Sequence, residues 1–205
     1  MLIGFIGKIG SGKSTSADYA VENYNFRKIN FKDALDAELV ELYPKALLSL
    51  AYHNNIPQID EFMQHKPTPD DLRELKQKHG SDIRRAQDID YWVKRWLDTY
   101  TRGGFKNTVV DDVRFLNEVD VIKRMGGIIV RIERDDITDT GTHISETALD
   151  DYEADIVIKA EKGDIMMLQM SLDNIIEDDI GGEKNSNDSC ESDRVSEEYT
   201  RELGR

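Results

Sequence analysis

With 205 residues, 39% of them hydrophobic and 33% charged, the chain suits one globular domain plus a tail and can bury a sizeable core. Its formal charge of −14 argues against long nucleic-acid polymers as partners, because those are held by basic surface, yet permits a nucleotide held by a few focused cations in a cleft. The longest apolar runs are strand-sized, short of the ~20 residues that span a bilayer. No secretory leader opens the chain and the single Cys190 has no internal partner, so the expectation is a cytoplasmic protein with no membrane association.

Met1 to Gly7 is a short apolar run closed by glycine, the pattern of a buried parallel strand. Lys13 to Tyr24 follows as a helix with Ala17, Ala20 and Val21 on one face. Arg27 to Phe31 predicts a second short strand and Asp33 to Tyr43 a second helix, while Pro44 to Pro69 reads as irregular or loosely helical. Asp70 to His79 is helical and stops at Gly80. Ile89 to Tyr100 is amphipathic, gathering Trp92, Val93, Trp96 and Leu97 at helical spacing before Gly103-Gly104. Thr108 to Asp112 is an apolar strand that ends in two carboxylates, and Asn117 to Met125 a helix closed by Gly126-Gly127. Gly127 to Glu133 and Ala154 to Ile158 are the remaining strands, separated by the polar stretch 134–152, and Asp164 to Ile176 is the last helix.

Residues 177–205 carry ten acidic and four basic side chains, which supplies −6 of the net charge. They predict an acidic, disordered tail in which Val195 to Leu203 is a marginal helix. The alternation of strands and helices over residues 1–176 predicts an α/β fold, doubly wound, with a mainly parallel five-stranded sheet and helices on both faces. Ligands of such sheets bind at the carboxyl ends of the strands.

The first such end carries G-x-x-x-x-G-K-[ST], matched by Gly7, Gly12, Lys13 and Ser14 between a strand and a helix. Glycines there let backbone N–H groups wrap a phosphate, and the helix presents its positive end to the same anion. Gly10, Ser11, Gly12, Lys13, Ser14 and Thr15 are therefore candidates to cradle ATP, with Lys13 reaching the β- and γ-phosphates and the Ser14 hydroxyl on Mg²⁺. A second carboxylate commonly helps to hold that metal. Alternation sends Asp111 and Asp112 to opposite faces, so one of them suits the task; Asp111 is assigned to the metal and Asp112 to the substrate or Arg114, the other possibility being a cap on the following turn.

Asp-Asp-Val-Arg-Phe-Leu-Asn-Glu at 111–118 resembles the same stretch in the deoxynucleoside monophosphate kinases of large bacteriophages. The resemblance runs on through Met-Gly-Gly-Ile-Ile-Val-Arg-Ile-Glu-Arg at 125–134, His143-Ile-Ser145-Glu146 and Ala154 to Ile158, and upstream through Leu72-Arg-Glu-Leu, Gly80 to Arg85 and Asp90-Tyr-Trp92-Val. It covers most of residues 1–176, with the tail unmatched. It implies transfer of the γ-phosphoryl group of ATP to a deoxynucleoside 5′-monophosphate, a small-molecule partner. It also implies a substrate region at about 33–104 and a lid at about 134–152. By the resemblance Arg114 lies near the transferred group, Arg73 and Arg85 hold the acceptor phosphate, and Asp33 and Trp92 meet its sugar and base. Lys159 follows the last strand, where the adenine of such kinases rests.

Chemistry agrees, because a monophosphate is already a nucleophile and needs positioning and charge neutralisation rather than a base. From Asp135 to Asp155 there is no Lys or Arg, unlike many nucleotide kinases, so the lid's cation must come from Arg134 or Arg131 at its base, or from Arg114. Structural alternatives stand beside these roles. One of the adjacent Arg84 and Arg85 is a surface charge, Trp92 is a core residue, and Asp33 caps its helix. Two other functions fit the loop: a kinase resembling dephospho-coenzyme A kinase, with Asp33 as base, and a nucleotide switch or regulatory ATPase. Oligomeric state, a homodimer included, is left open.

Overall fold

The computed structural model describes residues 1–104, 107–137 and 147–182; the chain beyond 182 and residues 138–146 of the expected lid lie outside the described residues. Its strands are β1 (Leu2–Ile6), β2 (Arg27–Lys28), β3 (Thr108–Val110), β4 (Ile128–Glu133) and β5 (Ile156–Lys159). They form one parallel sheet in the order β2-β3-β1-β4-β5, with Ile3 opposite both Val109 and Ile128. After β1 the chain builds the β2-β3 side first and the β4-β5 side afterwards. The carboxyl end of β1 thus sits where the winding reverses, the place such sheets offer to ligands.

Both faces of the sheet are covered, which is why β1 is apolar along its whole length. Ile3 and Phe5 pack with Val109, Val130, Ile132 and Ile158 against α1 (Lys13–Tyr24) and α8 (Ile165–Gly182). The opposite face meets α7 (Leu116–Arg124) so closely that a Cβ on Gly4 would stand 2.8 Å from Ile122 Cδ1. The doubly wound α/β fold is as expected.

Two compact units divide the chain: residues 1–30 with 96 onward, which carry the sheet, and residues 31–95. The second is helical: α2 (Phe31–Leu42), α3 (Pro44–His53), α4 (Ile59–Gln64), α5 (Asp70–Gln77), a π-helical stretch at Lys78–Arg85, and the start of α6 (Tyr91–Gly103). Its interior is built on Leu39, Leu47, Ala51, Phe62 and Leu72. From Trp96 on, α6 belongs to the sheet unit, where the Trp96 indole N–H donates to the Ile29 carbonyl at 3.0 Å.

The second strand is shorter than Arg27 to Phe31, ending at Lys28 because Phe31 already belongs to α2 and is buried there, and three further elements differ from expectation. Pro44 to Pro69 holds α3 and α4, because Pro44 opens α3 in its first turn, where a missing N–H costs nothing, and Leu47 and Ala51 then share one buried face. Gly80 does not stop a helix: it lies inside the π-helical stretch, its carbonyl accepting the Trp92 indole N–H at 3.0 Å, and a Cβ there would stand 3.2 Å from Leu35 Cδ2. The last helix runs on to Gly182, taking in residues assigned to the tail. No helix among the described residues is long and apolar enough to cross a membrane.

Candidate active site

The loop between β1 and α1 takes its shape from three glycines with positive φ: Gly7 at 134°, Gly10 at 80° and Gly12 at 113°. A Cβ on Gly7 would lie 2.3 Å from the Ile132 carbonyl oxygen, and one on Gly12 would lie 2.7 Å from Leu168 Cδ1. The chain can pass there only without side chains. The loop closes with the Ser11 N–H donating to the Lys8 carbonyl at 3.1 Å, and α1 begins at Lys13. Ser11 is 1% exposed, and its hydroxyl has no partner among the described residues. A buried donor of that kind inside a glycine loop fits an oxygen-rich anion.

A cavity at this end of the sheet is lined by Gly7, Lys8, Lys13, Arg114, Arg131 and Asp150, and a neighbouring one adds Ser11 and Arg134. The Lys13 ammonium donates to the carbonyls of Gly7 (2.6 Å) and Lys8 (2.7 Å). The turn that carries Arg114 is fixed by Glu118, whose buried carboxylate accepts the backbone N–H groups of Arg114 at 2.7 Å and Phe115 at 3.1 Å and so sets the entry to α7. Arg131 donates through Nη2 to the carbonyls of Leu149 (2.8 Å) and Tyr152 (2.6 Å). Arg134 ties the loop from outside, donating to the Gly10 carbonyl at 2.7 Å while Asp136 takes its other edge at 2.9 and 2.7 Å. Hydrogen bonding from Arg134 holds the Asp136 carboxyl below its usual range.

Ser14 and Thr15 are exposed in the first turn of α1. The metal assignment of Asp111 meets a different arrangement. Asp111 is 4% exposed, just past β3, with Oδ1 accepting from Asn30 Nδ2 at 2.7 Å and Oδ2 3.0 Å from the Lys28 ammonium. Its N–H donates to Asn30 Oδ1 at 3.0 Å. Burial pushes the Lys28 ammonium down, but the carboxylates of Asp18 and Asp111 outweigh it and hold its pKa above the ordinary value. The Lys28 ammonium is thus the cation that faces the Asp111 carboxylate, and Asp112, the other carboxylate of the pair, is half-buried. Lys159 is 78% exposed at the end of β5, 3.9 Å from Glu133.

In the helical unit, Asp33 is exposed in the first turn of α2. Arg73, partly buried on α5, makes no side-chain ion pair or hydrogen bond among the described residues. Arg85 is 8% exposed and donates to the Ile89 carbonyl at 3.3 Å. Arg84 is no solvated charge either, for it pairs with the buried Glu38 and lies over the Tyr91 ring at 5.1 Å. Trp92 is 3% exposed and its N–H is committed to Gly80, so it packs as core instead of offering a face for stacking.

The polar centre of this unit was not visible in the sequence. Glu38 takes hydrogen bonds from Tyr91 Oη (2.7 Å) and Arg84, and faces His79 Nε2 at 2.9 Å. Burial pushes its carboxyl up, but those partners outweigh burial and hold it below the usual glutamate range. Among the described residues no group of three or more His, Cys, Asp or Glu side chains is placed to hold a metal alone.

A family model described as deoxynucleotide monophosphate kinase matches residues 32–171. A protein of Acanthamoeba polyphaga mimivirus, provisionally named for the same activity, is 33% identical over 181 residues, covering 79% of this chain and 89% of its own. The deoxynucleotide monophosphate kinase of Escherichia phage RB69 is 30% identical over 110 residues, 51% of this chain and 44% of its own. A shikimate kinase from Aquifex aeolicus superposes over 89% of this chain and 100% of its own with a TM-score of 0.43 at 19% identity, a similarity too loose to bear on substrate.

Proposed function

Because the chain belongs to the deoxynucleotide monophosphate kinase family, we propose that it transfers the γ-phosphoryl group of ATP to the 5′-phosphate of a deoxynucleoside monophosphate, giving ADP and the diphosphate. The observation that carries this reading is the glycine cradle at the end of β1, with Lys13, Arg114 and Arg131 converging on one cavity. Cations gathered around one cavity supply what phosphoryl transfer demands, namely a fixed line of attack and relief of developing negative charge.

In this mechanism Gly10, Ser11, Gly12 and Thr15 hold the phosphates of ATP through backbone N–H groups and hydroxyls. Lys13 exchanges its two loop carbonyls for phosphate oxygens, and Arg114 meets the group in transit. Arg134, bonded to Gly10, keeps the cradle in shape and brings a further positive charge to its edge. Mg²⁺ bound with ATP would neutralise phosphate oxygens; Ser14 would hold it, with Asp112 better suited than the lysine-paired Asp111. Arg73 and Arg85 are assigned to the acceptor phosphate, Asp33 to its sugar and Lys159 to the adenine edge.

The acceptor phosphate attacks unaided, so no group in the cavity has to take a proton. Assay with a panel of deoxynucleoside monophosphates, reading ADP through a coupled system, should give turnover with at least one of them. ATP hydrolysis indifferent to every monophosphate would overturn the reading in favour of a regulatory ATPase.

A further inference from the structure

The wall of this cavity contains a carboxylate, which a site for polyanions has no evident use for. Asp150 lines it beside Lys13 and Arg131, and its two oxygens meet the Lys8 ammonium at 2.6 and 2.7 Å. Lys8 is part of the cradle itself: its carbonyl accepts the Ser11 N–H and the Lys13 ammonium, so its own ammonium starts from within the loop. Asp150 is held independently of that pair, because Arg131 binds the carbonyls of Leu149 and Tyr152 on either side of it. The side chains of Lys8 and Asp150 are 30% and 42% exposed. A pair so open to water is weak, and lysine, a compact charge on a long stem, exchanges partners readily.

We propose that Lys8 is a further phosphate-binding residue of the donor site, and that Asp150 is its counter-charge and competes with the phosphates for it. The inference rests on the reading of the cradle as the ATP site. A nucleotide that enters must draw Lys8 away from a carboxylate that stays in place. Asp150 thereby lowers the affinity for both ATP and ADP and lets the spent nucleotide leave, a step that limits the turnover of many enzymes. The sequence offers no spacing that would pair residue 8 with residue 150; only the fold does.

The test is calorimetric titration of ATP and ADP, with Mg²⁺, into the full chain and its Lys8→Met, Asp150→Asn and doubly substituted variants, each checked for folding by thermal melting. Lys8→Met should weaken ATP binding about fivefold to tenfold, and Lys8→Arg should retain most of the affinity. Asp150→Asn should tighten it by up to about fivefold at low salt and less as salt screens the pair. Adding Lys8→Met to Asp150→Asn decides the matter. If Lys8 touches phosphate, the double variant binds at least about fivefold more weakly than Asp150→Asn alone. If the lysine only neutralises Asp150, the addition leaves affinity unchanged, and that result overturns the inference while the ATP site stands. Weaker binding by Asp150→Asn would overturn it as well, whereas no ATP binding by the wild-type chain would bring down the reading of the cradle itself.

Discussion

The cradle of the sheet unit and the Glu38 cluster of the helical unit both concentrate charge, and they treat it in opposite ways. In the cradle, Lys13 rests on two backbone carbonyls and Lys8 on a half-exposed carboxylate, partners that a phosphate can replace. In the cluster, Glu38 is buried and its two oxygens are met by Tyr91, His79 and Arg84. A charge destined for a ligand is left with exchangeable neighbours, and a charge that serves the fold is satisfied from every side. Truncations in the two regions should therefore fail differently, one in activity and the other in stability.

The largest effect expected is that of Lys13→Ala, which removes a cation aimed at the phosphates. Turnover should fall by about 10²- to 10³-fold, the usual loss when one charge-stabilising group is deleted. The thermal midpoint should move by no more than about 2 °C, since the side chain is only partly buried and its carbonyl partners can turn to water. Single-turnover kinetics beside a melting curve measures both, and a large drop in midpoint would erase the contrast. Glu38→Ala should behave in reverse. It leaves Arg84, Tyr91 and His79 facing a hole, at a cost of about 2–3 kcal/mol, less than for a fully enclosed pair because Arg84 is partly exposed. Chemical denaturation followed by circular dichroism reads that loss directly.

The same contrast explains what could be read from the sequence. The cradle is eight consecutive residues, 7–14, whose spacing is itself the geometry, and α1 spans Lys13 to Tyr24 as its pattern predicts. The Glu38 cluster joins residues 41, 46 and 53 positions apart, so no local pattern announces it. Gly80 reads as a helix stop by local rules, and only packing against Leu35 and Trp92 turns it into a point of close approach. Arg84 and Arg85 show the same limit: helical geometry separates their directions, but it does not say that both directions lead to partners. Asp111 lies just past β3, at the strand end where a metal ligand is expected, and the lysine that faces it comes from β2, more than eighty residues earlier.

The smallest expected effect sharpens the comparison most, because it isolates the charge of Glu38 from its shape. Its folded carboxyl titrates below the ordinary glutamate value, the partners having outweighed burial. As pH falls through about 4.3 the unfolded chain takes up the proton while the folded chain still resists it. The unfolded state then binds more protons, so stability drops with pH across that window and the contribution is gone below the folded value. Glu38→Gln keeps the outline of the side chain and should cost about 1 kcal/mol at pH 7. Denaturation of both proteins from pH 7 to pH 3 should show the gap constant at first and closing below about pH 4.3. A gap that stays open at pH 3 would mean the cluster is held by fit rather than by ionisation, and Glu38 would then differ from Lys13 only in where it points.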